Sequence, residues 1–185
     1  MRRVLMGLAL PCLVAAAPAM TITAQGPRFE PAAQEYRGIW EAEGSRIVAA
    51  LERETGLTFP DPPVAVTVRE GVSGVTRDGR RMFMRASYSA EEKKGALVHE
   101  LGHLLVMPLT GLRREVGEHR LLNLFLYDVW TDLYGRDFAD RMVEFERRKH
   151  RRYRAAWAWA LAMTREQRRA RFQSLLRETA TQPVR

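Results

Sequence analysis

Two of the four histidines stand four positions apart in the apolar segment VHELGHLL, residues 98–105. They are His99 and His103, and Glu100 follows the first of them. On an α-helix, residues four apart lie on the same face, so the two imidazoles point the same way. Two imidazoles on adjacent turns can bind one metal ion, with Glu100 beside it, about 100° round the helix. The spacing therefore predicts a metal site on a helix.

The H-E-x-x-H spacing is that of zinc hydrolases, in which the glutamate acts as general base. Catalytic zinc takes three protein ligands and leaves a fourth position for water, whose pKa it lowers to about 7. Glu100 is then predicted to take the proton of that water. The alternative is a pair of core histidines satisfied by hydrogen bonds. It would leave Glu100 in an apolar helix without a cation, which is unfavourable.

The third ligand must come from later in the chain, because Leu109 stands where a metzincin-type motif would place a third histidine. The segment EHRLLNLFLYDVWTDLYG, residues 118–135, indicates a helix with acids beside an apolar stripe. A chain that turns at Pro108–Gly111 would bring Glu118 level with the metal. Asp128 would lie about 15 Å further along that helix. Glu118 is the first choice, although a first-turn acid also suits the helix dipole.

Two other residues stay open as the third ligand. Asp128 ranks second, and His119 ranks third because its side faces away from the apolar stripe. With the only cysteine, Cys12, in the first two dozen residues, any metal must be held by His, Asp or Glu.

The motif has clear flanking elements. Ser89 and Glu92 form a capping box, which predicts a helix from there to about Val106. The alternating segment VAVTV, residues 64–68, predicts a strand, and Asp78-Gly79 predicts a hairpin turn. Periodicity and caps further predict helices over about 31–55, 113–134 and 138–163, and a last one to about 179, opened by Thr164 and Gln167.

The segment HELGH followed by MPLTGLRREVGE resembles the small gluzincin-type metallopeptidases of bacteria, over about residues 80–135. In these proteins a glutamate on the next helix completes the zinc site. The resemblance implies zinc bound by His99, His103 and Glu118, with Glu100 as catalytic base. It implies an α+β fold, a small zincin-like domain. A short sheet or hairpin would precede the H-E-x-x-H helix, a second ligand-bearing helix and C-terminal helices.

One departure and one competing resemblance bear on the ligand. Gluzincins often carry an acid four residues after the ligand glutamate, where this chain has Leu122. The segment DVWTDLYG is similar to the E-x-x-x-D segment of thermolysin-like enzymes. That similarity implies Asp128 as the ligand and Asp132 as its supporting acid. The resemblance also makes Arg80–Ser87 a candidate strand for binding substrate by strand addition; an ordinary core strand is the alternative.

The chain begins as an exported protein does. A basic start, MRR, precedes an apolar run with an A-x-A cleavage pattern at residues 17–19, which predicts a secretory signal peptide over residues 1–24. Cleavage after Ala19 or after Ala24 fits. The metallopeptidase core is then assigned to residues 25–135 and a basic helical extension packed on it to 136–185. The expected location is periplasmic or extracellular.

The formal charge of +8 lies entirely in that extension. Residues 136–185 hold 14 Lys/Arg and 6 Asp/Glu, whereas residues 1–135 hold 16 of each. The run ERRKHRRYR, residues 146–154, suits an anionic envelope surface or a solvated helix face, and the second is the commoner outcome. No nucleic-acid motif accompanies it, so no specific nucleic-acid partner is expected.

These observations favour an exported zinc metallopeptidase acting on a peptide or protein substrate. Tyr127, Tyr134 and Tyr153 are equal candidates for stabilising the oxyanion. Two alternatives remain open. One is a basic helical binding protein of the envelope with a structural zinc site, and the other is a degenerate zincin without activity.

Overall fold

The structure, a computed structural model, describes residues 19–59 and 63–180 and has an α+β fold, mostly helical with one small sheet. The strands are β1 (Met20–Ala24), β2 (Val64–Arg69), β3 (Gly74–Val75) and β4 (Arg81–Arg85). The helices are α1 (Glu30–Thr55), α2 (Ala90–Val106), α3 (Thr110–Leu112), α4 (Glu118–Tyr134), α5 (Arg136–Lys149), α6 (Arg151–Leu161) and α7 (Arg165–Ala180). A 3₁₀ turn, Pro27–Phe29, precedes α1, and a π-helical turn, Arg113–Gly117, precedes α4. In these ranges no helix has the length and apolar character to cross a membrane.

The four strands form one sheet in the order β1-β2-β4-β3. β1, β2 and β4 run parallel, and β3 is antiparallel to β4. The predicted strand at 64–68 is confirmed as β2, and its alternation buries Val64, Val66 and Val68. The predicted hairpin is confirmed as β3 and β4, with Gly79 of the turn at φ 68°, a left-handed conformation that favours glycine.

β4 lies inside the sheet, which corrects the substrate strand predicted at Arg80–Ser87. β3 pairs with it through Gly74 and Val75, so the edge that a peptide would need is already taken. The side chains of Met82 and Met84 are fully buried, as expected of a core strand. β3 is the last strand at this end of the sheet.

The motif helix begins as predicted. Ser89 Oγ accepts a hydrogen bond from Glu92 N at 3.3 Å, and Ser89 N donates to Glu92 Oε2 at 2.8 Å. The helix ends at Val106, and α4 crosses it at Gly102. A β-carbon on that glycine would lie 3.3 Å from Leu122 Cδ1 and 3.4 Å from Phe125 Cε2. Gly102 therefore allows α4 to pack closely against the helix that carries both histidines.

The predicted single basic helix over 138–163 is wrong, because the chain breaks at His150. That residue is extended, at φ −163° and ψ 152°, and separates α5 from α6. Its Nδ1 accepts a hydrogen bond from Arg152 N at 3.1 Å, so the imidazole caps the new helix. The predicted capping box of Thr164 and Gln167 is confirmed by reciprocal hydrogen bonds of 2.8 and 3.3 Å.

The start of the folded domain also differs from the predicted boundary. Residues 1–18 of the predicted signal peptide lie outside the described residues, but 20–24 form β1, paired with β2 throughout. Ile22 is buried in the core, and its carbonyl oxygen accepts a hydrogen bond from Arg37 Nη1 at 2.9 Å. A cut after Ala24 would remove this edge strand. A cut after Ala19 would keep it.

A chain that begins at Gln25 should be less stable than one that begins at Met20. Exposing the Ile22 side chain alone should lower the free energy of unfolding by about 2 kcal/mol, before the lost strand pairing is counted. Urea unfolding followed by circular dichroism measures the difference. Equal midpoints for the two chains would show that β1 contributes nothing to the fold.

Candidate metal centre

Helix α2 places His99 and His103 on one face, as predicted, and buries both, at 4% and 8% exposed. Their Nε2 atoms lie 2.9 Å apart. Each ring thus turns the same nitrogen toward a common point. This is the arrangement that two neighbouring imidazole ligands of one metal ion require.

A carboxylate holds the far nitrogen of each ring. His99 Nδ1 lies 2.5 Å from Glu146 Oε1, and His103 Nδ1 lies 2.8 Å from Glu118 Oε1. Trp157 Nε1 donates to the other oxygen of Glu146 at 2.9 Å. Ligating histidines commonly donate their second N–H to a carboxylate in this way, which fixes tautomer and ring orientation.

The two carboxylates are ionised. The hydrogen bond from His103 lowers the pKa of Glu118 to about 2, against the opposing effect of burial, and Arg113 assists from 2.7 Å. Burial alone would raise the pKa of Glu146, but the charge and hydrogen bond of His99 outweigh it and lower that pKa to about 2. An ionised carboxylate can only accept hydrogen bonds, so the hydrogen bond to Glu118 places a proton on Nδ1 of His103, and the short contact with Glu146 favours the same for His99.

When both Nε2 atoms are unprotonated, as metal binding requires, the two rings turn two lone pairs toward each other. Two acceptors 2.9 Å apart repel unless a proton or a cation lies between them. The pKa of His99 is raised: burial lowers it, but the negative charge of Glu146 outweighs burial. In the absence of a metal the pair is therefore suited to holding an extra proton. The same lone pairs are suited to a metal ion.

His119 is the third member of this group. One ring nitrogen from each of the three histidines lies within 4.8 Å of the others. Burial, followed by the charges of His99 and His103, lowers the pKa of His119 to about 3, so this imidazole is neutral. Its Nε2 atom is buried and has no hydrogen-bond partner. Three histidines are one of the donor sets of catalytic zinc, and they can hold other metals too.

His119, ranked third among the predicted ligands, lies in the group of three histidines. We expected its side of the helix to face away from the apolar stripe. In the structure α4 is covered on several sides, and Asn123, one turn further along, is fully buried as well. The ring of Tyr153 packs on His119, with centroids 4.2 Å apart. A single apolar stripe does not identify every buried face of a helix that has several neighbours.

Neither of the two predicted acidic ligands belongs to the group of three histidine nitrogens. Glu118 contacts the Nδ1 side of His103, and the structure does not group it with the three histidine nitrogens. Asp128 is buried in a bidentate pair with Arg168, at 2.9 and 2.6 Å, nine residues beyond His119 on α4. Asp132 pairs with Arg165 at 2.7 Å. Asp128 is therefore already neutralised by an arginine and lies far from the histidines.

Glu146 is the site residue that sequence reasoning missed. It lies on α5 at a spacing of four from Phe138 and Met142, which are also buried, and is itself 2% exposed. An acid that continues an apolar stripe needs a buried partner. The spacing of four with Phe138 and Met142 is present in the sequence, but the basic run around Glu146 indicates a solvated helix face instead.

A cavity of about 180 Å³ adjoins the three histidines. Glu100, 5% exposed, lines it, and Glu100 Oε2 has no hydrogen-bond partner. Gly74 and Val75 of β3 line another part, together with Tyr153. At about 30 Å³ for each water molecule, the cavity has room for several. An unpartnered carboxylate thus faces space that can hold water beside the metal ligands.

Of the three candidate tyrosines, only Tyr153 lines this cavity. Tyr127 donates its hydroxyl hydrogen to Asp140 at 2.8 Å, and Tyr134 packs on Phe138 with centroids 4.5 Å apart. Burial, followed by the charges of Glu146 and Glu100, raises the pKa of Tyr153. Its hydroxyl therefore keeps its proton and can donate it in a hydrogen bond.

No protein-family model, curated protein or solved structure matches the chain.

Removing the third histidine should weaken metal binding more than removing either predicted acid. We expect His119→Ala to lose stoichiometric binding of zinc or cobalt. Glu118→Gln should keep one ion with an affinity about 10- to 100-fold lower, because it orients His103 without replacing it. Asp128→Asn should leave the affinity unchanged and lower the stability instead. Titration with Co²⁺, followed by its visible absorption, ranks the three variants.

The ranking has a clear contrary result. If Glu118→Gln loses the ion while His119→Ala keeps it, Glu118 is the third ligand, and the carboxylate must swing from Nδ1 of His103 to the metal.

Glu146→Gln should lower the metal affinity by about 10- to 100-fold, because the amide no longer holds His99 by an ionic contact. The matched control is Glu144→Gln, on the same helix, where the acid pairs with Arg147 on the surface at 2.9 Å. Competition with a chromophoric chelator measures both affinities. Equal affinities for the two variants would remove Glu146 from the site.

Proposed function

We propose that the chain is an exported zinc-dependent hydrolase with a zincin-like domain, and that it cleaves peptide bonds. The observation that carries the proposal is the pair of Nε2 lone pairs on His99 and His103, fixed by two carboxylates, next to the unpartnered Glu100. His119 supplies a third donor in place of the expected Glu118. The order of sheet, motif helix and second donor-bearing helix supports a zincin-like arrangement.

The residues of the metal centre have separate roles in the proposed reaction. His99, His103 and His119 would hold a zinc ion, which would supply the Lewis acidity that lowers the pKa of a water molecule to about 7 and polarises a carbonyl group. Glu100 takes a proton from the attacking water and passes it to the nitrogen of the leaving amine. Glu100 Oε2 has no hydrogen-bond partner in the described residues, so it is free to accept this proton.

The walls of the cavity suit an extended peptide. β3 is the last strand of the sheet, and its residues Gly74 and Val75 line the cavity, so a peptide can add to this strand. Tyr153 lies on the cavity wall and can donate a hydrogen bond to the developing oxyanion. The binding strand is thus β3, next to the β4 segment that the sequence suggested.

Glu100→Gln separates the hydrolase from a protein that keeps the metal for structure alone. The variant should retain one zinc ion per chain and lose hydrolysis of a fluorogenic peptide library by at least about 100-fold, because the amide cannot accept the proton. Elemental analysis and the peptide assay give the two quantities on the same preparation.

The control is Glu91→Gln, the same substitution on the same helix, at an exposed acid that pairs with Arg141. It should leave both zinc content and hydrolysis unchanged. Purified protein without about one zinc per chain, or equal hydrolysis by Glu100→Gln and the unaltered protein, would contradict the proposal.

A further inference from the structure

A second cavity adjoins the metal centre, at the corner between α5 and α6. It has a volume of about 490 Å³ and is lined by His119, His150, Arg151, Arg152 and Tyr153. His119 and Tyr153 also line the cavity of the metal centre, so the two spaces share a wall. A group bound at this corner would therefore lie beside a substrate at the metal.

The cations at this corner lack acidic partners. Arg151 and Arg152 are exposed, and neither forms an ion pair with an acid in the described parts of the chain. Of the basic residues just before them, Arg147 and Lys149 contact other side chains. Arg147 pairs with Glu144 at 2.9 Å, and Lys149 lies 4.3 Å from the ring centroid of Phe145. The uncompensated charge is thus placed at the cavity next to the metal centre.

The local backbone adds to the same positive potential. α6 begins at Arg151, and its first turn contains no acid. The N-terminus of a helix carries a partial positive charge, so arginines there are unfavourable unless an anion lies nearby. The Nδ1 of His150 accepts a hydrogen bond from Arg152 N, which leaves the proton of the neutral ring on Nε2. His150, Arg151 and Arg152 can therefore each donate a hydrogen bond to an anion at the corner, and none of them is an acid.

We infer that the corner formed by His150, Arg151 and Arg152 binds a carboxylate of the substrate, so that the enzyme acts on acidic peptides or on peptides with a free C-terminus. This inference rests on the proposed peptide hydrolysis, since carboxylates are the anions that a peptide carries. Arginine suits them because its planar guanidinium donates two parallel hydrogen bonds. The corner is concave and shares residues with the metal centre, as a substrate subsite does and a flat lipid-binding face does not.

The test measures peptide binding to zinc-loaded Glu100→Gln protein, so that turnover does not interfere. Three acetylated peptides of equal length are compared by calorimetry. One ends in a free carboxylate, one is amidated but carries an internal glutamate, and one is amidated and neutral. Each is titrated into Glu100→Gln and into the same protein with Arg151→Ala and Arg152→Ala added.

The charge-matched control carries Arg136→Ala and Arg171→Ala, which remove two exposed arginines from other helices. It should bind like the parent. The Arg151→Ala, Arg152→Ala protein should bind the preferred anionic peptide at least about tenfold more weakly, close to its affinity for the neutral peptide. The preference should also fall as salt is added. If the peptide with the free C-terminus binds more tightly, the corner binds a terminal carboxylate. If the peptide with the internal glutamate binds more tightly, the corner binds a side-chain carboxylate.

Equal affinity for all three peptides would overturn the inference, and so would an anionic preference that survives the loss of both arginines. Sedimentation with phosphatidylglycerol vesicles gives a third test. The inference also fails if removing the two arginines weakens vesicle binding and leaves peptide binding unchanged. That result would assign the corner to a lipid surface. The proposed function fails separately. If the unaltered protein hydrolyses no peptide yet binds acidic peptides through these arginines, the carboxylate site is supported and the proposed hydrolysis is contradicted. If it hydrolyses neutral and acidic peptides equally well, the proposed hydrolysis is supported and the carboxylate site is contradicted.

Discussion

The structure depends on two imidazole nitrogens held face to face. The Nε2 atoms of His99 and His103 lie 2.9 Å apart, and carboxylates fix the protons on the opposite nitrogens. Without a shared proton or cation this arrangement is repulsive, and α2 alone would let the rings turn away. The surrounding helices must therefore supply the carboxylates, bury them and keep them ionised.

The carboxylates that hold the two histidines come from distant parts of the chain. Glu118 comes from the start of α4, after a π-helical turn, and Glu146 comes from α5 with Trp157 of α6 behind it. Residues on both sides of position 136 therefore contribute to one centre, with Glu118 before it and Glu146 and Trp157 after it. α7 is held in the same way, since Asp128 of α4 and Glu54 of α1 are buried acids paired with its arginines.

The sequence predicts what is local. The motif helix with its cap, the strand β2, the hairpin and the face shared by His99 and His103 all follow from spacing or turn chemistry, and each is confirmed. His119 and Glu146 depend on which helix faces lie against which neighbours, and one helical wheel cannot show that. Counting helical turns places Glu118 near the motif, but it does not show that the carboxylate contacts Nδ1 of His103. β1 was missed because its residues also suit the end of a signal peptide.

The basic charge of the C-terminal helices looks uniform in the sequence but is not uniform in space. Acids pair with arginines along most of these helices: Arg136, Arg141, Arg147, Arg165, Arg168, Arg169 and Arg171 each lie within ion-pair distance of one. Several of those acids come from α1, α2 and α4, so the neutral first part of the chain compensates the basic last part. In the described part of these helices, most basic residues outside such pairs lie within residues 148–154. That segment includes the break at His150, where α5 and α6 bring Glu146 and Tyr153 to the metal centre. The uncompensated charge therefore lies beside the metal centre.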